Sequence, residues 1–580
     1  MAFVGIDLGT TTSEVALYED DDGPRIIRDW KGNEIVDSAV GIDNKTRRPV
    51  VGDRALALMK SSPDLCLREV KRRMGEEDDL PLGDQSFRPE EVSAFILKYL
   101  KNAAEAELDE EVDRAVVTVP ANFPDTARQA TLQAGEIAGL SVERIINEPT
   151  AAALAYGHSE GLSQEIVIVY DLGGGTFDVS IVEYVGNTLE VLASSGDPHL
   201  GGGDFDAALA DHVAAQFEEE TGETIDPDGP AYYNLLEACE EAKKELSFAY
   251  STRVHIPFFM VRDGERLSLD VEVSRNEFEQ LVAPLVNRTE EAIEKAMEDA
   301  GVGPNDTSRV LLVGGSTRIP YVRGLVERIM GQEPLWNIDA DRAVALGAAV
   351  QAAIIDGQAR QSIMDVCPLS LGTATAVTIG GALMPGRYAQ IIPPNWKVRK
   401  PKKDRYATIN DGQDSIDFKV YQRSSLSASE WAEIGNVPNT EDGYTLLAQR
   451  EVEVPPGPSG QEIQATYTYN ENGLLNVEVE VLATGETMEF EVSTPLDREQ
   501  VEASRQKVET AWKASEHFKD VQATLHAAEK RLQQEKLDPQ AERQLQQLIQ
   551  ELKSVLSEND TAHVEQYEDK INDLLYELDL

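Results

Sequence analysis

Two turns rich in glycine and threonine, each preceded by an aspartate, are the segments of this sequence best suited to chemistry. The first turn carries Asp7, Gly9, Thr10, Thr11 and Thr12. The second carries Asp171, Gly173, Gly174, Gly175, Thr176 and Asp178. Glycines without Cβ atoms let backbone N–H groups approach a bulky anion, and threonine hydroxyls add further donors. This pattern predicts two loops that together hold the β- and γ-phosphates of a nucleotide.

The aspartates beside these turns require a different role, because a carboxylate repels phosphate. We expect Asp7 and Asp171 to act through Mg²⁺ and its waters, which bridge an acid to a phosphate. For a single aspartate the alternative is a turn or cap residue, but the duplicated spacing favours the metal. No GxxxxGK[ST] segment occurs in the chain, which excludes a P-loop nucleotide site.

The two segments follow one plan and lie about a domain length apart. In both "VGIDLGTTTSEVALYE" (4–19) and "VYDLGGGTFDVSIVEY" (169–184), an apolar strand, an aspartate, a turn and an alternating strand follow one another. An internal repeat on this scale indicates two similar lobes. Their two hairpins are expected to face each other across a cleft.

Composition limits the class of protein and its partners. At 580 residues the chain is too long for one core, and its formal net charge of −51 disfavours nucleic acid and anionic membranes as partners. Cys66, Cys239 and Cys367 lack disulfide or metal-ligand spacing, which favours a reducing compartment. The longest apolar run, 343–355, is shorter than the roughly 18 residues that span a bilayer. We therefore expect a cytoplasmic protein.

The chain changes character near residue 358, where the helical pattern breaks and a proline follows. The segment 366–493 alternates as short strands do, and an Asn-Gly turn at 472–473 predicts a hairpin in an antiparallel sandwich. From 494 to 580 apolar residues recur at helical spacing. We predict a nucleotide-binding domain at 1–357, a linker at 358–365, a β-sandwich and an α-helical region.

Seven segments, which include the two turns described above, occur in a characteristic order. They are "GIDLGTTTS" (5–13), "VKRRMG" (70–75), "TVPANFPDTARQAT" (118–131), "INEPTAAALAYG" (146–157), "DLGGGTFDVSI" (171–181), "LLVGGSTRIP" (311–320) and "AVALGAAVQAAI" (343–354). Together they resemble the signatures of the heat shock protein 70 (DnaK-like) molecular chaperones. The segments 365–372 and 472–482 are most similar to the bacterial HscC-like branch. The resemblance implies a multidomain chain: an actin-like, two-lobed α/β ATPase domain, an antiparallel β-sandwich and a short α-helical lid.

The resemblance also assigns catalytic residues. Lys71 matches the lysine that positions the attacking water, and Glu148 matches an acid that helps hold the metal and its waters. Asp171, Asp178 and Thr176 complete the implied catalytic set. From the residues alone, Lys71 is interpreted as a surface charge. Glu148 is then interpreted as an acid in the first turn of a helix, directly before Pro149.

The remaining nucleotide contacts are assigned mainly by resemblance. They are Gly202, Gly203, Glu240, Lys243, Lys244, Ser247, Gly314, Gly315, Ser316, Arg318 and Asp341. Four of these residues share one face of a charged helix, so a solvated helix face is the alternative for Glu240, Lys243, Lys244 and Ser247. Arg318 is expected to lie against the adenine, as a guanidinium plane can.

Several positions depart from the family pattern. Pro120 and Arg128 match a relay between the nucleotide and the linker, but Asn122 replaces a usual tyrosine. Gly203 replaces a usual glutamate. These two changes predict a weaker relay. The linker has Ile363 and Met364 in place of a leucine-rich run, which predicts weaker ATP-driven docking on the ATPase domain.

The sandwich and the helical region carry the implied client site. Tyr406, Ile416 and Phe418 loosely match a pocket for one large aliphatic side chain of an extended peptide, and a core role is an equally good explanation for each. The leucine-rich positions of the helical region are expected to form a bundle core: Leu545, Leu548, Ile549, Leu552 and Leu556.

The implied function is that of an ATP-dependent chaperone that hydrolyses ATP to ADP and phosphate. Nucleotide state would control its affinity for hydrophobic segments of unfolded clients. The implied cofactors are ATP or ADP and Mg²⁺, with K⁺ as a further candidate cation. The implied partners are a client polypeptide and a J-domain co-chaperone, with a nucleotide-exchange factor as a further candidate.

Two alternatives stay open from the sequence. A nucleotide-gated holdase or exchange factor with weak hydrolysis is consistent with the changed linker and with Gly203. A small-molecule kinase of the same fold would use the same phosphate turns, but it has no need of the chain beyond residue 366. Retention of the catalytic set favours hydrolysis.

Overall fold

The computed structural model describes residues 1–580 except 21, 30, 45–46, 162–163, 228, 263–264, 336–339, 380–381, 424–442, 492–495, 535–538, 558–566, 568–569, 572–573 and 576–580. Two α/β lobes form the first part of the chain, and two packed antiparallel sheets and a pair of helices follow. Among these residues, no helix has the length and apolar character that crossing a membrane requires.

The described residues of the first lobe form eleven strands and four α-helices. The strands are β1 (Ala2–Leu8), β2 (Thr12–Glu19), β3 (Gly23–Ile26), β4 (Val36–Asp37), β5 (Ala39–Ile42), β6 (Pro49–Val51), β7 (Cys66–Arg68), β8 (Leu80–Leu82), β9 (Gln85–Phe87), β10 (Val112–Val119) and β11 (Ser141–Asn147). The helices are α1 (Asp53–Met59), α2 (Pro89–Leu108), α3 (Asp125–Ala138) and α4 (Glu148–Glu160). The main sheet has the order β11-β10-β1-β2-β3, in which β1 is antiparallel to β2 and parallel to β10.

The second lobe repeats this plan. Its strands are β12 (Gln164–Leu172), β13 (Phe177–Val185), β14 (Thr188–Asp197), β15 (Ser251–Arg262), β16 (Glu265–Ser274) and β17 (Arg309–Val313). Its helices are α5 (Gly202–Thr221), α6 (Pro230–Leu246), α7 (Arg275–Val286), α8 (Arg288–Ala300) and α9 (Pro320–Met330). Here β12 is antiparallel to β13 and parallel to β17, so the duplicated sequence segments form equivalent hairpins. The predicted pair of similar lobes is confirmed.

Helix α10 (Ala343–Ile355) packs against α4 and against β1 and β2 of the first lobe. Two glycines permit this close packing. A Cβ at Gly5 would lie 2.1 Å from the backbone nitrogen of Ala349, and a Cβ at Gly347 would lie 1.8 Å from the carbonyl oxygen of Ala151. The apolar run that is too short for a membrane span is therefore a buried helix of this core.

The linker forms a strand. Strand β18 (Ser362–Met364) pairs in parallel with β14, and Ile363 lies opposite Leu189. The backbone N–H of Ser362 donates to the carbonyl oxygen of Asn187 at 3.0 Å. Main-chain pairing thus attaches the linker without a leucine-rich run, and the weakness of its ATP-driven docking stays a prediction.

The β-rich part is an antiparallel sandwich. Its strands are β19 (Val366–Cys367), β20 (Leu371–Ile379), β21 (Ala382–Ile392), β22 (Trp396–Lys397), β23 (Lys402–Ala407), β24 (Ser415–Arg423), β25 (Tyr444–Glu453), β26 (Glu462–Tyr469), β27 (Leu475–Val481) and β28 (Glu486–Glu491). The two four-stranded sheets have the orders β21-β20-β24-β25 and β23-β26-β27-β28. The predicted hairpin at 472–473 connects β26 to β27, whose alternate residues from Leu475 to Val481 are buried.

Two helices complete the described chain, α11 (Arg498–Gln534) and α12 (Pro539–Ser557). The predicted bundle core includes Leu545, Leu548, Ile549 and Leu552, which pack with Leu525 and Ala528 of α11. The side chain of Leu556 and most of the predicted third helix lie outside the described residues.

Candidate nucleotide site

The two predicted phosphate turns meet between the lobes. Gly9–Thr11 connects β1 to β2, and Gly173–Thr176 connects β12 to β13. A Cβ at Gly174 would lie 1.9 Å from Thr11 Oγ1, and a Cβ at Gly175 would lie 2.4 Å from Thr10 Cγ2. The turns can approach this closely only because glycine stands at positions 174 and 175.

A cleft opens beside these turns. Its lining consists of Asp7, Gly9, Thr10, Thr11, Thr12, Lys71, Glu148, Asp171, Gly173, Gly174, Thr176, Val313, Gly314, Gly315, Ala340, Asp341 and Val344. Residues that are distant in sequence therefore share one cavity, and most of them belong to the predicted site. Within the described chain, Glu240, Lys243, Lys244, Ser247 and Arg318 do not line it.

Three aspartates at the cleft have raised pKa values. Burial raises the pKa of Asp7 to about 6, and repulsion from Glu148 adds to the effect. The same two causes raise the pKa of Asp178 to about 6 and that of Asp171 well above its ordinary value. Clustered carboxylates of this kind are an environment that favours a hard cation.

The arrangement suits a cation held through water. Among the described residues, no group of three or more histidine, cysteine, aspartate or glutamate side chains is placed for direct metal coordination. Asp7 is held by Thr118 Oγ1, which donates to its Oδ1 at 2.6 Å. The oxygen donors present are those that Mg²⁺ prefers, so the residues fit this ion.

Lys71 lies in the cleft and not on the surface. It belongs to a 3₁₀ turn, Val70–Arg73, and only 6% of its surface is exposed. Its ammonium group forms a buried ion pair with Glu148, the first residue of α4. A buried lysine needs such a partner, and the pair places a positive charge directly beside the phosphate turns.

Asp178 is connected to the linker through a chain of polar contacts. Its carboxylate accepts hydrogen bonds from Asn122 Nδ2 at 2.7 Å and from the backbone N–H of Ala121 at 3.1 Å. Arg128 Nη2 donates to the Ala121 carbonyl at 2.9 Å and to Asn147 Oδ1 at 2.6 Å. Asn147 Nδ2 then donates to Asp365 Oδ2 at 3.1 Å.

These contacts bear on the predicted relay. Arg128 also donates to the carbonyl of Pro120, at 3.5 Å, so both predicted relay residues lie in the chain. Asn122, which was expected to weaken the relay, makes a direct hydrogen bond to Asp178. The relay role itself stays a prediction.

Only some of the residues that were predicted to contact the adenosine line the cleft. Arg318 forms two hydrogen bonds with Asp341, at 3.2 and 2.7 Å. Lys243 Nζ donates to the Gly202 carbonyl at 3.0 Å, and Ser316 Oγ donates to the Gly173 carbonyl at 2.9 Å.

Two other predicted adenosine contacts are placed differently. Lys244 is half exposed and pairs with Glu240 and Glu241, while Ser247 bonds within its own helix. For these two residues the solvated helix face explains the contacts observed.

Comparison with known proteins decides the family. A family model described as "Hsp70 protein" matches residues 3–82 and 78–579. "Chaperone protein DnaK" of Thermotoga petrophila is 36% identical over 594 residues, covering 99% of this chain and 97% of the relative. The DnaK proteins of Thermotoga maritima and Thermotoga neapolitana match to the same extent. The chain belongs to the Hsp70 family.

Family membership establishes the function in outline. This Hsp70 is an ATP-dependent molecular chaperone and an ATPase, with a two-lobed actin-like domain, a β-sandwich and a helical lid. The kinase and holdase alternatives are not favoured. Its assignment to the HscC-like branch stays a prediction.

The predicted peptide-binding residues of this Hsp70 lie together in the sandwich. Phe418 is 3% exposed, and its ring contacts Tyr406 at a centroid distance of 5.8 Å. Tyr406 and Ile416 pack partly buried against the same core cluster. These contacts are those of core residues, and the peptide-binding role stays a prediction.

Several site residues of this Hsp70 were missed from the sequence. Arg72 Nε donates to the Gly175 carbonyl at 3.1 Å, and its Nη2 donates to Asp204 at 2.8 Å, so it joins both lobes. Its position next to Lys71 in a basic cluster was the available signal. Thr118 and Asp125 carried no comparable signal, because their partners are distant in sequence.

Proposed function

We propose that this chaperone hydrolyses ATP in the cleft between the two phosphate turns and couples the reaction to its sandwich through the docked linker. One observation carries the proposal. Lys71, Glu148, Asp7 and Asp171 line the cleft beside both turns, and Asp178 lies opposite Asp171 in the second hairpin. The polar chain from Asp178 leads to Asp365 at the end of the linker.

In the proposed reaction water attacks the γ-phosphate in line. Lys71 Nζ orients this water and offsets the negative charge that develops on the phosphate. Asp178 and Glu148 accept hydrogen bonds from the water and assist its deprotonation. The hydroxyls of Thr11 and Thr176 donate to the transferred group.

Asp7 and Asp171 would hold Mg²⁺ through bridging waters, with Glu148 assisting. When bound, the ion supplies positive charge at the β- and γ-phosphate oxygens. K⁺ is proposed as a further cation of the site. The backbone of both turns holds the phosphates, and the adenosine would lie toward Lys243, Gly314, Gly315, Ser316, Arg318 and Asp341.

The same proposal extends to partners. The sandwich would bind extended hydrophobic segments of unfolded clients through main-chain hydrogen bonds and a side-chain pocket. A J-domain co-chaperone would stimulate hydrolysis, and a nucleotide-exchange factor is a further candidate partner. We place the protein in the cytoplasm, with functional units at 1–357, 358–365, 366–493 and 494–580.

Replacement of Lys71 tests the catalytic assignment. Lys71→Ala is expected to keep ATP binding, since the turns hold the phosphates, but to lower steady-state turnover by roughly 100-fold or more. Binding is measured by calorimetry and turnover by phosphate release. Lys101→Ala is the control, because Lys101 pairs with Glu105 along α2 and does not line the cleft. Unchanged turnover in the Lys71 variant would refute the assignment.

A further inference from the structure

Charged side chains from both lobes form a network beside the cleft that the proposed reaction does not use. Glu69 lies at its centre, 3.4 Å from Arg68 Nη2 and 3.6 Å from Arg72 Nη1. Each arginine also reaches an acid of the second lobe. Arg68 lies 3.6 Å from Glu240, and Arg72 lies 2.8 Å from Asp204. The network therefore alternates in sign as it spans the cleft.

The backbone of Glu69 has an unusual conformation. Its φ and ψ of 56° and 24° lie in the left-handed region, where residues other than glycine are uncommon. Glu69 directly precedes the 3₁₀ turn that carries Lys71. A strained residue at such a position is maintained by the contacts of its surroundings. Here the carboxylate contacts Arg68 and Arg72, and the Glu69 carbonyl accepts a hydrogen bond from the Arg72 N–H at 3.0 Å.

The carboxylate of Glu69 occupies space that Gly203 leaves open. A Cβ built on Gly203 would lie 3.2 Å from Glu69 Oε1 and 3.5 Å from Oε2. A side chain at position 203 would therefore press against the carboxylate. The Glu69 carboxylate can therefore occupy this position because residue 203 is a glycine.

Glu69 also resolves a charge conflict. Arg68 and Arg72 are both positive and close together, and a carboxylate between them reduces their repulsion. It fixes the positions from which each guanidinium reaches its second-lobe acid. All five side chains are partly exposed, so the effect of each pair is moderate.

We propose that Glu69 is a positioning residue that holds Arg68 and Arg72 across the cleft and thereby slows the release of bound nucleotide. The inference rests on the proposed nucleotide site. A nucleotide held by turns from both lobes can leave only when the lobes separate, and separation breaks the Arg68–Glu240 and Arg72–Asp204 pairs.

The test is the release rate of a fluorescent ADP, mant-ADP, from the full chain in the presence of Mg²⁺ and excess unlabelled ADP. Glu69→Gln is expected to accelerate release about three- to tenfold, and less at high salt because the pairs are screened. Simple electrostatics predicts the reverse, since removing an acid near an anionic ligand strengthens binding. Release that is unchanged or slower in this variant would overturn the proposal.

Gly203→Ala provides an independent variant that keeps the glutamate. Its Cβ would lie 3.2 Å from Glu69 Oε1 and 3.4 Å from the Gly174 carbonyl oxygen, so the carboxylate must shift by a few tenths of an ångström. Release is expected to accelerate, but by less than in Glu69→Gln, although alanine favours the helix that contains it. The double variant should be no faster than the faster single variant, because both changes break the same network. Multiplied effects in the double variant would overturn the proposal.

Gly324→Ala is the matched control. Gly324 also lies within a helix, α9, and a Cβ there meets no atom within 4 Å, so its release rate should equal that of the unmodified chain. Failure of the unmodified chain to bind mant-ADP would contradict the proposed nucleotide site instead. Failure of the Glu69 proposal and failure of the nucleotide-site proposal would therefore give different results.

Discussion

Asp125 shows how a single carboxylate connects two parts of the molecule. It is the first residue of α3, it is 2% exposed, and its side chain accepts a hydrogen bond from Gln422 Nε2 at 3.0 Å. It also accepts from the backbone N–H of Leu475 at 3.3 Å. Both partners belong to the sandwich, so the carboxylate is buried by docking of the sandwich on the first lobe.

Burial gives this contact a pH dependence. Desolvation raises the pKa of Asp125 to about 6 from an ordinary 3.8, although Arg128 and the two hydrogen bonds act in the opposite direction. The docked state therefore binds a proton more readily than the separated state. Docking should be strongest near pH 4, weaken as the pH rises to about 6, and change little above it, a total effect of roughly 2–3 kcal/mol.

Asp125→Asn tests this dependence, because asparagine resembles the protonated acid in charge and shape. At pH 7.5 we expect the variant to dock as well as the unmodified chain does near pH 4. Its docking should not change between these pH values. Fluorescence energy transfer between labels on the first lobe and the sandwich reports the docked fraction. Equal pH dependence in both proteins would assign the titration to another group.

At the level of single residues, the sequence predicted those site residues that lie together in one short segment. The phosphate turns are contiguous segments in which glycine and threonine serve a direct chemical purpose, the binding of phosphate. The structure brings the two turns together. Contacts such as Thr118 with Asp7 or Arg72 with Asp204 depend on how the strands and lobes are arranged. Neither pairing is encoded in a local spacing.

At the level of elements, the sequence did not predict that the linker forms a strand, β18, paired with β14. Hydrophobicity suggested a weakly docking linker, but a strand added to a sheet edge is held by backbone groups that every residue carries. The side chain of Ile363 adds to this by packing partly buried against a core cluster that includes Leu189 and Val191 of β14. The hydroxyl of Ser362 also lies within hydrogen-bond distance of Thr188 Oγ1, at 2.8 Å. The duplicated hairpins were predictable because each is a continuous pattern of alternation and turn.

Ile363→Asp is expected to detach β18, because a carboxylate would have to be buried without a partner. Trypsin should then cleave after Arg360 roughly tenfold faster or more in the presence of ATP, since local protection is lost. Met364→Asp is the control: Met364 is 42% exposed, so cleavage should change little. Equal cleavage of the two variants would show that Ile363 does not hold the strand.

At the level of the whole molecule, the docked parts contact both lobes. The first lobe binds the sandwich through Asp125, and it binds α11 through Trp512, whose ring stacks on Phe95 at a centroid distance of 6.5 Å. The second lobe binds β18, and the backbone N–H of Ser194 in β14 donates to Asn395 Oδ1, in the loop before β22, at 2.9 Å. A change in the angle between the lobes therefore alters both sets of contacts.

This arrangement provides a physical basis for coupling. The nucleotide cleft lies between the same two lobes, so a ligand that fixes their relative position also favours or disfavours docking. The order of the domains was predictable from the sequence, because composition and periodicity change along the chain. Which faces dock was not, since those faces are formed by residues distant in sequence.

The most direct test of the account is the release of a labelled hydrophobic peptide from the full chain after ATP is added. A chaperone whose cleft and sandwich are coupled as described should release the peptide about 5- to 150-fold faster with ATP than with ADP. Ile363→Asp should bind the peptide but lose most of this acceleration. Release at the same rate with ATP and with ADP from the unmodified chain would contradict the account.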